Sequence, residues 1–249
     1  MSAELFVVVP FYQEERLLPA TLRALAMQTD RNFALILVDN GSTDRSREIA
    51  RGFAASAPFS VRILDEPEKG TGVAADTGFR TAIAWGARWI ARTDADCVPT
   101  PLWIACVRAA LQDQGLEFVA GRIKPREDEG LSLGERVVLP FMIAVAERYG
   151  RYTRRGPEFL YPYFMAAGNN LAISAELYER AGGFPRTAIE TAHEDRALSE
   201  RVRTLTRAAA VRREMIVYNS VRRVRAYGFV NVLRWYRNHG YRPAVVDVR

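Results

Sequence analysis

The chain is poor in cysteine. Its two cysteines, Cys97 and Cys106, build no disulfide framework, which excludes a small disulfide-stapled scaffold and suits a reduced compartment. Basic charge is missing from the first residues, where Glu4 stands instead, so no secretory leader is expected. Long apolar runs are missing too. The longest, Val137 to Ala146, is too short to span a bilayer and contains Pro140. There is no internal repeat and no low-complexity segment. The expected location is cytoplasmic, with peripheral contact at a membrane left open.

What is present is a large core and an uneven charge. A chain of 249 residues that is 49% hydrophobic supports one large or two fused α/β units. The net charge is +6, and from Arg196 onward thirteen arginines face only Glu200, Glu214 and Asp247. Such a segment suits an anionic membrane surface or a phosphate-bearing ligand, or is a solvated basic face. No nucleic-acid motif accompanies it, so nucleic acid is not an expected partner.

The chain opens with a β-branched run, Leu5 to Val9, closed by Pro10. Leu17, Leu18, Thr21, Leu22 and Leu25 then recur at helical spacing. A second strand, Phe33 to Val38, ends at Asp39. Asn40-Gly-Ser-Thr-Asp44 turns the chain, with Ser42 or Thr43 expected to cap the next helix. Val61 to Leu64, a helix over 72–85 and Ala87 to Thr93 complete four strands alternating with three helices. That alternation predicts βαβ units and a parallel sheet whose strand ends share one edge. Gly70-Thr-Gly-Val-Ala-Ala75 matches a dinucleotide pattern, but residues 65–69 separate it from its strand, so it reads as a helix entry.

At the shared edge the last of these strands ends in Asp94-Ala-Asp96. Residues i and i+2 of an extended chain point the same way, so the two acids can act on one object. Paired hard oxygens suit Mg²⁺ or Mn²⁺, and hence a phosphate; a solvated turn is the alternative. Further on, Thr100-Pro101 predicts a capped helix to about Asp113. Leu116 to Gly121 is an expected strand, 124–134 a loop or seam, 135–149 an apolar helix, and 151–162 a loop able to cover a ligand. A strand is expected over Ala166 to Ile173, a short helix over 175–180, and a stop at Gly182-Gly-Phe-Pro185. Asp195, Leu198, Val202 and Leu205 share a helix face, which puts an acid on an apolar stripe. Thr191-x-x-Glu194 matches a capping box, an alternative account of Glu194. Met215 to Tyr218 predicts a late strand and Tyr227 to Asn238 a closing helix.

Taken together, Val7-Val-Val-Pro-Phe-Tyr-Gln-Glu-Glu15, Val38-Asp-Asn-Gly-Ser-Thr-Asp44, Asp94-Ala-Asp96 and Gly182-Gly-Phe184 followed by His193-Glu-Asp195 resemble the ordered motifs of family 2 glycosyltransferases. The resemblance implies the α/β GT-A fold: a Rossmann-like, mostly parallel central sheet flanked by helices, with an acceptor-side extension. It implies a nucleotide-sugar half over 1–98, an acceptor and catalytic half over 99–225, and a basic helix and tail over 226–249. Pro10, Tyr12, Glu14, Asp39 and Asp94 would bind the nucleotide sugar, and Asp96 would hold a divalent metal, Mn²⁺ or Mg²⁺. Asp195 would be the general base, kept ionised by the dipole of its helix. Gly183, His193, Glu194, Arg222 and Arg223 would meet acceptor or phosphate. The donor would be a nucleoside diphosphate sugar; the acceptor is left open, a lipid-linked one included.

Departures from the family pattern are visible. Ala75 and Asp76 stand where many members carry an Arg-Asn pair. Tyr218-Asn-Ser220 stands where some carry a metal-binding histidine. Asn231-Val-Leu-Arg-Trp235 is similar to a Gln-x-x-Arg-Trp motif of processive synthases, but its first residue differs and no membrane helices accompany it. Competing readings are a nucleotide-sugar-binding protein without transferase activity, a basic peripheral-membrane module, and a nucleotidyltransferase. The last wants a glycine-rich, lysine-bearing opening that residues 10–15 lack.

Overall fold

The computed structural model describes residues 3–186, 194–228 and 231. Over residues 5–93 the expected alternation is present: β1 (Leu5–Phe11), α1 (Leu18–Ala26), β2 (Ala34–Asp39), α2 (Ser46–Ala54), β3 (Val61–Asp65), α3 (Thr71–Ala84) and β4 (Trp89–Thr93). All three pairings among these strands are parallel. β1, β2 and β4 are buried at every position, which is why they read as unbroken apolar runs rather than alternating ones.

The chain then leaves the parallel pattern. It continues through β5 (Cys97–Pro99), α4 (Trp103–Arg108) with a π-helical extension to Asp113, β6 (Phe118–Pro125), α5 (Leu133–Thr153), β7 (Asn170–Ser174), α6 (Ala175–Arg180), α7 (Glu194–Leu205), β8 (Ala209–Asn219) and α8 (Arg222–Tyr227). One sheet holds every strand of the described residues, in the order β3-β2-β1-β4-β7-β6-β8-β5. β7 enters antiparallel between β4 and β6 and joins the two halves. β6 and β8 run parallel, with a bulge between Gly121 and Arg122.

Two apolar layers cover the sheet, sorted by strand parity. Leu5, Val7, Val9, Leu35, Leu37 and Ala91 pack with α1 and α4 on one face. Phe6, Val8, Ile36, Val38 and Ile90 pack with α3, α6 and α7 on the other.

Several local expectations are corrected. Neither Ser42 nor Thr43 caps α2, whose N-cap is Arg45 with no side-chain cap bond. Their hydroxyls bind Gln13 instead, Ser42 Oγ accepting from its backbone N–H at 3.1 Å. Thr100 does not cap α4 either; the cap position is Leu102. The strand expected over 116–121 runs on to Pro125, into the segment read as a loop. The strand expected from Ala166 begins only at Asn170, because the residues before it turn into the cleft. β8 begins six residues before the expected Met215, its polar run Arg212-Arg213-Glu214 hiding it. The helix expected over 227–238 lies largely outside the described residues.

Candidate active site

A cleft of about 910 Å³ opens at the carboxyl ends of β1 and β4, between the two halves of the sheet. β1 delivers Pro10, Tyr12 and Glu14, β4 delivers Arg92 and then Asp94 and Asp96, and α7 delivers Glu194 and Asp195. Arg222 and Arg223 line it from the start of α8. Of the residues singled out in the sequence, Asp39 and Gly183 are not among the lining residues, and His193 lies outside the described residues.

Gln13 fixes the end of β1. It holds a left-handed backbone, φ 54°, which costs energy in a residue with a Cβ. Its side-chain oxygen accepts from the backbone N–H groups of Thr43 (2.8 Å) and Asp44 (3.1 Å). Glu14 N–H donates to Ser46 Oγ at 2.7 Å and Glu15 N–H to Asp44 Oδ2 at 3.0 Å. These bonds lace the β1 turn to the β2 turn and aim the buried Glu14 carboxylate into the cleft. There Arg222 grips it with two N–H donors, one at 2.8 Å, and also donates to Asp96 Oδ2 at 3.0 Å. Arg222 therefore neutralises two protein carboxylates. Tyr12 accepts from Lys69 Nζ at 3.1 Å.

Asp39 ends β2 just behind the cleft. Its Oδ1 accepts from Ser42 N–H at 2.9 Å, while its buried Oδ2 has no hydrogen-bond donor among the described residues. Asn40, the next residue, does line the cleft and ties its rim: it donates to the carbonyls of Glu66 and Glu68 and accepts from Gly70 N–H.

The centre of the site is a residue that the sequence reading passed over. Arg92 lies in β4 with only 1% of its surface exposed. Its Nε donates to Asp94 at 3.0 Å and its Nη2 to Glu194 at 3.2 Å, linking the end of β4 to the first turn of α7. Gly168 lets the backbone pass over the guanidinium; a Cβ there would come within 2.9 Å of it. The cation lies 5.2 Å from the Phe184 ring. Burial alone lowers the pKa of Arg92, but the charges of Asp94 and Glu194 carry it above its ordinary value. An arginine inside an otherwise apolar run was the signal available. Glu194 is thus an ion-pair partner; Thr191, the other half of the expected capping box, lies outside the described residues.

Asp195 sits beside this pair. Its Oδ2 accepts from Gly168 N–H at 3.0 Å and its Oδ1 from Arg196 N–H at 2.7 Å. Burial nevertheless raises its pKa, outweighing those two bonds and the charge of Arg92. Burial thus works against the helix dipole, which by itself favours the ionised form of Asp195. Burial likewise raises Asp94, against the pull of Arg92.

Gly183 serves a different place. It is left-handed at φ 73°, and a Cβ on it would stand 2.6 Å from Asp76 Oδ1. Asp76 is fully buried, accepts from Tyr178 Oη at 2.8 Å and from Arg80 Nε at 2.8 Å, and lies 3.5 Å from Arg186. The Ala75-Asp76 departure is therefore a buried brace between α3 and α6 that lines no part of the cleft.

Among the described residues no three His, Cys, Asp or Glu side chains gather as a metal cage. Mg²⁺ and Mn²⁺ do not need one: one or two carboxylates complete their shell with substrate phosphate oxygens. Asp96 meets that requirement. It lines the cleft, and its Oδ1 receives only the Cys97 thiol at 3.5 Å. Where the resemblance would put a histidine, Asn219 and Ser220 line the cleft.

With the geometry established, comparison with known proteins gives a consistent result. The profile of "Glycosyl transferase family 2" matches residues 6–181. Glycosyltransferase AglE of Haloferax volcanii is 25% identical over 74% of this chain and 56% of its own. The dodecaprenyl-phosphate galacturonate synthase of Rhizobium johnstonii is 32% identical over 51% of this chain and 38% of its own. The chain thus spans little more than half the length of the first of these relatives and less of the second. Among solved structures, the mannosyltransferase PcManGT of Pyrobaculum calidifontis, in complex with GDP-Man and Mn²⁺, superposes with a TM-score of 0.67 at 23% identity, covering 94% of this chain and 60% of that one. S. aureus TarS 1–349 with UDP-GlcNAc gives 0.66 at 15% identity, covering 87% and 58%. These neighbours share the GT-A fold, as expected from the sequence. The chain belongs to glycosyl transferase family 2.

Proposed function

We propose that this chain transfers a sugar from a nucleoside diphosphate sugar to an acceptor hydroxyl, with inversion and with a divalent metal. The observation that carries the reading is that Asp94 and Asp96 from β4 and Asp195 from α7, a hundred residues apart, line one cleft. Asp39 Oδ2, which receives no hydrogen bond among the described residues and has Arg47 Nη1 at 3.7 Å, fits a role as acceptor for a base N–H, next to a cleft wall built by Pro10, Tyr12 and Asn40. The complexes of PcManGT with GDP-Man and Mn²⁺ and of TarS with UDP-GlcNAc support a nucleotide-sugar donor.

In this reading Asp195 takes the proton of the acceptor hydroxyl as its oxygen bonds to the anomeric carbon. The bond from that carbon to the diphosphate breaks on the opposite side, so the centre inverts without a carboxylate nucleophile. A metal on Asp96, when bound, offsets the charge of the departing diphosphate as a Lewis acid. Asp94 orients the sugar side of the donor. Arg92 holds Asp94 and Glu194 together, which keeps Asp195 facing the donor. Raised by burial, Asp195 is a better proton acceptor than an ordinary aspartate once ionised.

The test is a thermal-shift panel of UDP, GDP, dTDP and CDP sugars with Mn²⁺, Mg²⁺ or chelator, followed by turnover of whichever sugar binds. A selective, metal-dependent rise in Tm with sugar release or transfer is expected. Binding without turnover would favour a nucleotide-sugar-binding protein, and no shift with any donor would overturn the reading.

A further inference from the structure

Helix α5 is the least covered element of the described fold. Over 21 residues, about 32 Å, it buries only Gly150. Leu133, Val137, Phe141, Val145, Tyr149 and Tyr152 follow one another at steps of four and three, so they form one stripe. Each is between 45% and 83% exposed, where single scattered apolar residues would be ordinary. The adjoining side of the helix presents Leu139, Met142, Ile143 and Ala146 to the cleft, and Val145 and Tyr149 of the stripe line the cleft as well. The exposed stripe and the apolar cleft wall thus meet along the same helix at Val145 and Tyr149.

The charge around it is one-sided. Residues 133–155 carry five arginines and two glutamates. Both glutamates are engaged, Glu135 with Arg225 and Glu147 with Arg151. Arg136 and Arg148 have no carboxylate partner among the described residues, and Arg148 and Arg151 continue the azimuth of Phe141, Val137 and Leu133 at the C-terminal end of the stripe. We infer that α5 is an interfacial helix that lies in the headgroup region of an anionic lipid surface, stripe inward, with the cleft mouth at that surface. A helix of this kind combines a broad apolar face with Arg side chains whose apolar stems lie along it and whose heads reach the headgroups, and it lies in the plane of the interface. Its charges keep it from crossing, and no described helix is long and apolar enough to do so. A second copy fits less well: a two-fold contact through the stripe sets each helix's arginines against their own kind. That the acceptor reaches the cleft from this surface rests on the transferase reading; the docking itself does not.

The experiment is flotation of the whole chain with vesicles of phosphatidylcholine alone or mixed with phosphatidylglycerol, at low and high salt. Binding to the anionic vesicles, weakened by salt, is expected. The double substitution Val137→Glu and Phe141→Glu, at exposed positions outside the cleft lining, should weaken it at least about tenfold while leaving Tm and donor binding unchanged. Arg148→Glu should reduce the preference for anionic lipid. Absence of vesicle binding, or full binding by the double variant, would overturn the inference. So would a concentration-dependent dimer abolished by the same substitutions. Docking without sugar transfer would leave this inference standing and sink the catalytic one; transfer without docking would do the reverse.

Discussion

Replacing Arg92 by methionine tests the organisation of the cleft most directly. The side chain is 1% exposed and bonds two carboxylates at 3.0 and 3.2 Å, one of them 28% and the other 12% exposed. At an effective dielectric of about 20 each pair is worth about 4 kcal/mol of attraction, much of it spent on desolvating the cation. Methionine fills the volume but leaves Asp94 and Glu194 facing each other without their cation. Breaking a buried pair from one side costs about 3–5 kcal/mol; because Asp94 can draw some water, about 3 kcal/mol is expected. Domains are stable by about 5–15 kcal/mol, so the variant should fold, with a Tm lower by about 6–12 °C. Urea unfolding should show a lower midpoint at unchanged slope. The loss must also depend on pH. Asp94 already binds its proton more tightly folded than unfolded, and without Arg92 it does so more tightly still. The deficit against the parent is therefore complete above the raised pKa and shrinks as pH falls through it, when the carboxyl neutralises. A loss below about 1 kcal/mol at neutral pH, the scale of an exposed pair, would refute the reasoning, as would a deficit independent of pH.

Asp195→Asn should lose about 1 kcal/mol of stability with one of its two N–H bonds, keep donor binding, and lower kcat by about 10²–10⁴-fold in a transfer assay. In the parent, the acidic limb of kcat/KM should lie above the ordinary aspartate value of about 3.9, because burial raises Asp195 and only its ionised form accepts a proton. Gly183→Ala should destabilise by about 1–3 kcal/mol in urea, from the left-handed backbone and the clash with Asp76, at unchanged KM for donor. Arg222→Gln releases Asp96, so Mn²⁺ alone should raise its Tm more than that of the parent; equal shifts would show that Arg222 does not compete for Asp96.

Much of the parallel half was legible because burial on both sides leaves only apolar residues in β1, β2 and β4, and because their ends must share an edge. Asp94, Asp96 and Asp195 stood out as acids against apolar patterns. The rest depends on partners distant in sequence. β7 is antiparallel because of what flanks it, and no pattern within its five residues says so. Ser42 and Thr43 look like caps until Gln13, some thirty residues earlier, claims their hydroxyls. The engagement of Arg222 by Glu14 and Asp96 is likewise set by residues far away in the chain. Arg92 alone could have been caught, as a cation in a strand with no room for water.

The grip of Arg222 on Glu14 joins positions 208 residues apart. During synthesis the first strands can pair as soon as they emerge, and Asp94 meets Arg92 within its own strand end, but Glu14 and Asp96 receive the guanidinium of Arg222 only when α8 leaves the ribosome. The parallel half can thus be assembled early, while the charge balance across the cleft is completed late, when residue 222 emerges.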